Sequence, residues 1–140
     1  MRIRAFESRD EAQVVALWTS CGLTRPWNDP HRDIARKLAV QPELFLVGVI
    51  DDRVVATAMV GYEGHRGWIH YVAVSIDHQR KGFGRALMNE AERLLIERGC
   101  PKINLQLRSS NAEVIGFYRA LGYVQDDVVG LGKRLIEDRG

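Results

Sequence analysis

The sequence predicts an α+β domain in which a mixed, mostly antiparallel sheet is flanked by about four helices. Two valine-rich runs, residues 43–50 and 53–60, are separated only by Asp51-Asp52, which is typical of a β-hairpin. A third apolar run, residues 68–74, is long enough to be a central strand. Apolar residues at helical spacing recur before and after these runs, so both kinds of element are expected.

A short strand and a helix are predicted at the N-terminus. Residues 2–6 alternate polar and apolar side chains, as a strand does. Ser8 and Glu11 have the spacing of a capping box. This spacing predicts a helix over about residues 9–21, ended by Gly22.

A loop and a second helix come before the hairpin. Residues 25–30 contain two prolines and are expected to form a loop. Ile34 and Leu38 then mark a shorter helix. Between the hairpin and the central strand, residues 61–67 contain three glycines and predict a polar turn.

Two helices and a strand are predicted in the last third of the chain. An apolar stripe that begins at Phe83 predicts a helix ending near Arg98, with Gly99 as its left-handed stop. Residues 102–107 alternate as a strand does.

Ser110 and Glu113 form a second potential capping box, which predicts a helix followed by Gly122. From Tyr123 onward the sequence returns to β character, broken by Asp126-Asp127.

Length, charge and cysteine content limit the possible functions. The 140 residues carry 20 Lys and Arg against 18 Asp and Glu, a net charge of +2. This length supports one core, so we expect a single domain over residues 1–140. The charge is too small for a dedicated nucleic-acid binder, so no nucleic-acid partner is expected. Cys21 and Cys100 belong to no Cys/His cluster, which predicts no metal site.

The sequence predicts neither a signal peptide nor a membrane partner. No apolar stretch approaches the roughly 20 residues that a membrane span needs. Charges at Arg2, Arg4 and Glu7 also argue against a secretory signal. The two isolated cysteines give no disulfide framework, and we expect a cytoplasmic protein.

One tight basic cluster lies between the central strand and the helix at Phe83. The run Gln79-Arg80-Lys81-Gly82-Phe83-Gly84-Arg85 combines three cations with two glycines. The first amides of a helix lack intrahelical partners and carry partial positive charge, so this arrangement predicts an anion site. The alternative is that the glycines shape a turn and the cations form a solvated face.

Two common phosphate motifs do not fit this run. Leu87 occupies the third glycine position of the dinucleotide-binding fingerprint, and no Gly-Lys-Ser/Thr is present for a P-loop. Neither nucleotide-binding fold is therefore supported.

The run Gln79-Arg80-Lys81-Gly82-Phe83-Gly84, placed behind Val72-Ala73-Val74, resembles motif A of the GNAT superfamily of N-acetyltransferases, whose signature is Q/R-x-x-G-x-G/A. The resemblance covers essentially the whole chain. In the second half it includes Ser110-Asn111, Phe117-Tyr118 and Leu121-Gly122-Tyr123. Three further segments, residues 25–30, 64–67 and 99–103, resemble the YpeA-type bacterial acetyltransferases.

The resemblance implies a GNAT fold that binds acetyl-coenzyme A and needs no metal. The pantetheine would pair with the backbone of Val72, Ala73 and Val74, in a slot where this strand splays from residues 102–107. Asn111 and Tyr118 match positions that contact the coenzyme near its pantetheine and sulfur. The residues implied around the pyrophosphate are Arg80, Lys81, Gly82, Phe83, Gly84 and Arg85.

The resemblance also implies direct acetyl transfer to a primary amine within a ternary complex. Amides near Val72 to Val74 would stabilise the oxyanion, and Tyr118 would protonate the departing thiolate. The alternative for Tyr118 is an aromatic ring that only packs on its helix face. The acceptor is a small molecule or a protein, and homodimers are common among relatives.

The general base is left open by the sequence. Gln106 stands where ribosomal-protein-alanine acetyltransferases of this superfamily carry a glutamate, and an amide cannot take a proton. The candidates are Glu63, His65 and His70. Glu63 acting through water is preferred, because His70 is expected to share a strand face with Val72 if no bulge intervenes. An amine that arrives neutral would need no base.

Two further alternatives concern the acceptor and the activity. Trp27 is expected either to line an acceptor pocket or to plug the core between two helices. The rival function is a non-catalytic module that senses acyl-coenzyme A. Tyr118 favours the enzyme, and the missing glutamate at Gln106 favours the sensor.

Overall fold

The computed structural model describes residues 1–138, which form two compact units: residues 1–105 with Asp138, and residues 106–137. The first unit holds a five-stranded sheet in the order β1-β2-β3-β4-β5. Its strands are β1 Arg2–Ala5, β2 Phe45–Ile50, β3 Arg53–Tyr62, β4 Gly67–Val74 and β5 Ile103–Asn104. The helices are α1 Glu11–Ser20, α2 Pro30–Leu38 and α3 Phe83–Glu97 in the first unit, and α4 Ala112–Ala120 in the second.

The strand pairing confirms the predicted fold class. Strands β1 to β4 pair antiparallel with their neighbours, whereas β5 pairs parallel with β4. The described residues therefore form the mixed, mostly antiparallel sheet with four α-helices that the sequence predicts.

The predicted β2–β3 hairpin is confirmed. Asp51 and Asp52 have φ values of 49° and 61°, so both lie in the left-handed region. Two consecutive left-handed residues match the twist of the flanking strands in a two-residue hairpin, and aspartate tolerates this conformation better than most residues.

The first unit is packed on both faces of its sheet. Helices α1 and α2 cover one face, where the rings of Phe6 and Phe45 stack with centroids 4.5 Å apart. Helix α3 covers the other face, and a Cβ at Gly67 would come within 2.9 Å of Leu95. The core on the α1 and α2 side comprises Phe6, Val14, Leu17, Trp18, Ile34, Phe45, Val47, Val49, Val54 and Ala73.

The predicted capping box at the first helix is wrong by one residue. Glu7 and Asp10 form the box, around a short 3-10 turn that precedes α1. Asp10 accepts a 2.8 Å hydrogen bond from the Glu7 amide and a 2.7 Å bond from Arg4 of β1. Because Asp10 is fixed by a tertiary ion pair, it displaces the box expected from Ser8 and Glu11.

The second predicted capping box is also displaced. Asn111, and not Ser110, caps α4, and its Oδ1 accepts a 3.2 Å hydrogen bond from the Val114 amide. An asparagine is as good an N-cap as a serine, so the local spacing alone could not separate the two. Helix α4 ends as predicted, with Gly122 at φ 96°.

The predicted β structure at the C-terminal end is largely absent from residues 102–138. The strand expected over residues 102–107 is limited to β5, and no strand is present from Tyr123 to Asp138. The prediction was wrong because β propensity stabilises a strand only where a partner edge pairs with it. The large apolar residues left exposed in this segment are Val124, Val128, Val129, Leu131, Leu135 and Ile136.

Candidate active site

The basic run folds as the loop that joins β4 to α3. After Val74 the chain makes a 3-10 turn over Ile76–His78. Nε2 of Gln79 then donates a 3.1 Å hydrogen bond back to the carbonyl of Val74. Arg80 and Gly82 follow with φ values of 64° and 81°. Gln79 therefore closes the loop on the end of β4, and the left-handed residues turn the chain into the helix.

The start of α3 has the features of an anion site. Gly82 is the N-cap, no side chain caps the helix, and its first turn contains no acidic residue. The first backbone bond of the helix runs from Ala86 to Gly82 at 3.0 Å. The amides of Phe83, Gly84 and Arg85 therefore have no acceptor within the helix, and the dipole favours negative charge beside them.

Three exposed cations surround this helix start. Arg80, Lys81 and Arg85 are exposed, and within residues 1–138 none of them forms an ion pair. By contrast, Arg93 on the same helix pairs with Glu90 and with Glu97. The uncompensated positive charge is therefore confined to the first turn, where phosphate oxygens would contact amides and cations together.

Strand β4 contains a bulge at Tyr71. Tyr71 has φ 52°, and the pairing with β3 shifts by one residue between the pairs Met59–His70 and Thr57–Ala73. The indole ring of Trp18 stacks on Tyr71 with centroids 3.8 Å apart, so Tyr71 faces α1. A bulge of this kind leaves two residues opposite one and bends the strand.

The bulge overturns the expected orientation of His70. His70 lies opposite Met59, which packs against the core on the α1 and α2 side. Because the bulge inserts a residue, His70 shares this face with Tyr71, and Val72 turns to the opposite face. His70 and Val72 therefore do not share a strand face.

The backbone of Val72 and Val74 points away from β3. The amide of Ser75 donates a 2.7 Å hydrogen bond to Val55 of β3. Since backbone groups alternate in direction along a strand, Ala73 also bonds toward β3. The intervening amides of Val72 and Val74 point to the other edge of β4.

This other edge of β4 is paired with β5 only at its beginning. The parallel pairing is restricted to Gly67 with Ile103 and Trp68 with Asn104. No pairs follow beyond Trp68, because β5 ends at Asn104. The edge at Val72 to Val74 could therefore pair with an extended ligand.

Glu63 lies in the turn between β3 and β4. Its Oε1 accepts a 2.7 Å hydrogen bond from the His65 amide and a shorter one from the Arg66 amide. These bonds, that of Arg66 first, lower the pKa of the Glu63 carboxyl. Five residues of strand, roughly 17 Å, separate the start of β4 from Val72. The geometry therefore argues against Glu63 as the base, and the same turn holds the other candidate, His65.

His70 has the better position and charge state. Its ring lies parallel to that of Trp68, with centroids 6.3 Å apart. Desolvation, and then the nearby charge of Lys37, lower the pKa of His70, whereas Asp33 opposes the shift. The lowered pKa favours the neutral imidazole that a proton acceptor needs, and His70, which is exposed, directly precedes the bulge.

Cys21 is tied to the end of β4. Its thiol donates a 3.5 Å hydrogen bond to the carbonyl of Val74. Burial raises the pKa of the Cys21 thiol, which keeps it protonated. The Cys100 thiol donates at 3.3 Å to the carbonyl of Lys102. These contacts agree with structural roles for both cysteines and not with a nucleophile.

Trp27 lies at the surface of the first unit. It occupies a turn closed by a 3.1 Å bond from the Asn28 amide to the Arg25 carbonyl, and its side chain is 48% exposed. A core plug would be buried, so that alternative is wrong. Trp27 stays a prediction for the acceptor pocket.

Asn111 and Tyr118 belong to the second unit. Asn111 caps the start of α4, and Tyr118 lies seven residues later within that helix. Tyr118 is 5% exposed and makes edge-on ring contacts with Phe117 and Tyr123. Burial raises the pKa of Tyr118 to about 12. Gln106 is exposed in the same unit.

Sequence reasoning missed a hydrogen-bond chain that holds the bulge. The hydroxyl of Tyr71 donates a 2.7 Å bond to Asp33 of α2. Arg36 bridges Asp33 at 3.0 Å and Asp138 at 2.6 Å. The carbonyl of Tyr71 accepts a 2.8 Å bond from Thr57. The only available signal was a single threonine within a valine-rich strand, since the partners are far apart in sequence.

Comparisons with known proteins agree with this geometry. The family model described as the acetyltransferase (GNAT) family matches residues 12–123. A protein of Sodalis glossinidius named as an acetyltransferase is 50% identical over 140 residues, covering 99% of each chain. The bulged strand and the basic helix start thus belong to a chain whose relatives are named acetyltransferases. The chain belongs to the GNAT family of acetyltransferases.

Solved structures share the fold. A putative acetyltransferase from Agrobacterium tumefaciens has a TM-score of 0.80 and 21% identity, covering 96% of this chain and 100% of that one. AAC(6')-Iy, in complex with the bisubstrate analogue CoA-S-monomethyl-acetylneamine, has a TM-score of 0.77 and 15% identity, and the likeness covers 96% of this chain and 98% of that one. At these identities the likeness concerns the fold.

Neither a membrane-spanning helix nor a cluster of metal ligands is present within residues 1–138. No helix in this range is both long and apolar enough to cross a bilayer. The same residues contain no group of three or more His, Cys, Asp or Glu side chains that could hold a metal ion.

Proposed function

We propose that this GNAT acetyltransferase transfers the acetyl group of acetyl-coenzyme A directly to a primary amine within a ternary complex. The observation that carries the proposal is the start of α3, where three amides without helical acceptors lie among three cations without ion pairs. A pyrophosphate has the charge and the spread of oxygen atoms to use both.

The coenzyme would extend from this helix start along β4. The pyrophosphate would contact the loop from Arg80 to Arg85, with Gly82 and Gly84 allowing close approach of the backbone. The pantetheine amides would bond to the carbonyl of Val72 and to the backbone groups of Val74, which point away from β3, so that the Val72 N–H stays available for the acetyl group. Ala73 would contribute to coenzyme binding by holding Val72 and Val74 in the strand, and Asn111 would contribute through its side-chain amide. The bisubstrate analogue named for AAC(6')-Iy joins coenzyme A to an acceptor amine, which supports a ternary complex by analogy.

The transfer needs no protein nucleophile. The amine nitrogen forms a bond to the acetyl carbon, and the carbon–sulfur bond breaks. The proton that the amine loses ends on the sulfur, so the products are an amide and the free thiol of coenzyme A. The backbone amide of Val72, next to the bulge, is the donor best placed to stabilise the negative charge on the carbonyl oxygen.

His70 is the residue we propose as the proton acceptor, in place of Glu63. Its lowered pKa favours the neutral imidazole. It directly precedes the bulge, whereas the Glu63 carboxylate already accepts two amide bonds in a distant turn. A neutral imidazole can take the proton of an attacking amine either directly or through one water.

Tyr118 would stabilise the departing thiolate by a hydrogen bond. With a pKa of about 12, the phenol lies well above a thiol at ~8.5, so complete proton transfer to the thiolate is uphill. A phenol that keeps its proton is still an effective donor to sulfur. The raised pKa therefore supports charge stabilisation more than general-acid catalysis.

Trp27 is proposed to contact the acceptor, because its exposed ring lies in the loop between α1 and α2. Such a ring can cover the apolar part of an amine-bearing small molecule or of a protein residue. We propose that the protein acts in the cytoplasm. We also propose that it can form a homodimer.

Thiol release with acetyl-coenzyme A and a panel of amines tests the proposal. The panel should include polyamines, amino acids, aminoglycosides and peptides with free N-termini. We expect amine-dependent release with at least one class, and a strong loss in His70→Gln but not in Glu63→Gln. Tight binding of acetyl-coenzyme A without release across the whole panel would favour the non-catalytic sensing module instead.

A further inference from the structure

A buried hydrogen-bond chain holds the carbonyl of the bulge residue. The indole nitrogen of Trp18 donates a 2.9 Å bond to Oγ1 of Thr57, and Thr57 donates a 2.8 Å bond to the carbonyl of Tyr71. Trp18 and Thr57 are completely buried. The chain links α1 through β3 to the residue of β4 that has a positive φ.

The direction of each bond in this chain is fixed by its chemistry. An indole nitrogen can only donate, and a hydroxyl has one hydrogen to give. The indole N–H of Trp18 donates to the hydroxyl oxygen of Thr57. The hydroxyl hydrogen of Thr57 is then donated to the Tyr71 carbonyl. A carbonyl can only accept, so the chain has one arrangement.

The orientation of the Tyr71 carbonyl determines the orientation of the next amide. In a planar trans peptide the C=O and N–H groups point in opposite directions. The Tyr71 carbonyl points at Thr57, on the face of the sheet covered by α1. The N–H of Val72 therefore points away from Thr57, and its direction is as fixed as that of the carbonyl.

The side chain of Tyr71 is held as firmly as its carbonyl. Its ring stacks on Trp18 at 3.8 Å, and its hydroxyl donates to Asp33 at 2.7 Å. A non-glycine residue with positive φ persists only where its surroundings over-determine it, and such residues cluster at functional sites. Trp18 takes part in both restraints, because it stacks on the ring and orients Thr57.

We propose that Thr57 is a positioning residue that aims the Val72 amide at the carbonyl oxygen of the acetyl group. Thr57 acts through the Tyr71–Val72 peptide and does not touch the substrate. The proposal rests on the proposed function, because it assumes that the acetyl group of acetyl-coenzyme A lies beside Val72. A donor aligned before the reaction stabilises the oxyanion without reorganisation.

The variants Thr57→Val and Thr57→Ser separate this role from packing. Valine keeps the shape and removes the hydroxyl, whereas serine keeps the hydroxyl and removes a methyl group. We expect kcat to fall roughly ten- to a hundredfold in Thr57→Val, because losing an oxyanion donor outright costs about 100- to 1000-fold. KM for acetyl-coenzyme A should change by less than about twofold, and Thr57→Ser should restore most of kcat.

Val47→Ala is the matched control for stability. Val47 is completely buried and lies opposite Thr57 on the neighbouring strand β2. Its truncation should lower the melting temperature by creating a cavity but should leave the Tyr71 carbonyl bond intact. If Val47→Ala lowers kcat as much as Thr57→Val does at equal loss of stability, Thr57 is structural only and the proposal is overturned.

Infrared spectroscopy detects the hydrogen bond from the Val72 amide to the acetyl carbonyl, and it does not depend on turnover. With acetyl-coenzyme A labelled with ¹³C at the carbonyl, the stretch in the wild-type complex should lie at lower wavenumber than in solution. Thr57→Val should lose most of this shift and Thr57→Ser should keep it. Trp18→Phe keeps a stacking ring but removes the indole N–H, so it should lose part of the infrared shift. This variant replaces Thr57→Val in the test if Thr57→Val does not fold.

The outcomes distinguish the two proposals. A wild-type shift that persists in Thr57→Val, or no shift in a wild-type complex that is saturated and active, overturns the role of Thr57 and leaves the acetyltransferase proposal standing. Failure of the wild-type protein to bind acetyl-coenzyme A at all overturns both.

Discussion

The hydroxyl of Tyr71 lies 2.7 Å from Oδ2 of Asp33, and this bond ties the bulge of β4 to helix α2. Asp33 is held in turn by Arg36, which also binds the buried carboxylate of Asp138. The part of β4 proposed to receive the acetyl group is therefore fastened to residues 38 and 67 positions away from Tyr71 in sequence. A rigid bulge follows from long-range contacts and not from local sequence.

Tyr71→Phe should destabilise the first unit by about 1–2 kcal/mol, because a partly buried hydrogen bond to a carboxylate is lost while the ring keeps its stack on Trp18. Urea unfolding measures this loss. Tyr62→Phe is the matched control, since its hydroxyl makes only exposed bonds of 3.2 and 3.4 Å to backbone carbonyls. Equal effects of the two substitutions would contradict a special role for the Asp33 bond.

Neutralising the cations at the start of α3 should weaken coenzyme binding. We expect the combined change of Arg80, Lys81 and Arg85 to alanine to raise the Kd of acetyl-coenzyme A at least about tenfold at low salt, and less at high salt because exposed charges are screened. Isothermal titration calorimetry measures the Kd at both salt concentrations.

Arg93→Ala is the control for this change. It removes a cation of the same helix whose charge is already compensated by Glu90 and Glu97. A Kd that rises as much in Arg93→Ala as in the triple variant would show that net charge matters and the helix start does not.

The pH dependence of kcat/KM should report His70. Since the pKa of His70 is lowered by desolvation and by Lys37, the rate should fall only at a pH below that at which an ordinary histidine gains its proton. His70→Gln should abolish this limb and lower the rate. Glu63→Gln should keep both the limb and the rate, and a profile unchanged in His70→Gln would exclude it as the base.

Tyr118 should ionise well above the ordinary pH range of a tyrosine. Its pKa is about 12 in the folded chain and about 10 in the unfolded one, so folding favours the protonated form. The resulting stability, on the order of 3 kcal/mol, is fully present below pH 10 and is lost as the pH rises from 10 to 12. Ultraviolet titration should show a phenolate phase near pH 12 whose amplitude falls by one tyrosine in Tyr118→Phe. A Tyr118→Phe titration identical to that of the wild type would contradict the burial argument.

The sequence predicted what depends on local signals. The Asp51-Asp52 hairpin, the glycine stops at Gly99 and Gly122, and the loop from Gln79 to Gly84 are set by residues within a few positions of each other. These features are in the structure where the sequence predicts them. The proposed anion site could be predicted for the same reason, since its amides and cations lie in one continuous run of the sequence.

The sequence failed where a distant partner decides the outcome. Arg4 draws the first capping box to Asp10, which no spacing rule could reveal. The bulge at Tyr71 depends on Thr57, Trp18 and Asp33, and without it His70 was placed on the wrong face. Glu63, the base that the sequence favours, stays untested, and the structure adds that two amides of its own turn bond to its carboxylate.

Binding of acetyl-coenzyme A to the wild type, Gly82→Glu and Gly64→Glu tests the central claim most directly. Both glycines have positive φ and an open Cβ position, so both substitutions add the same charge and a similar strain, but only Gly82 caps α3. Calorimetric titration should give tight binding for the wild type and for Gly64→Glu, and no detectable binding for Gly82→Glu. Equal affinity of all three proteins would contradict a pyrophosphate site at the start of α3.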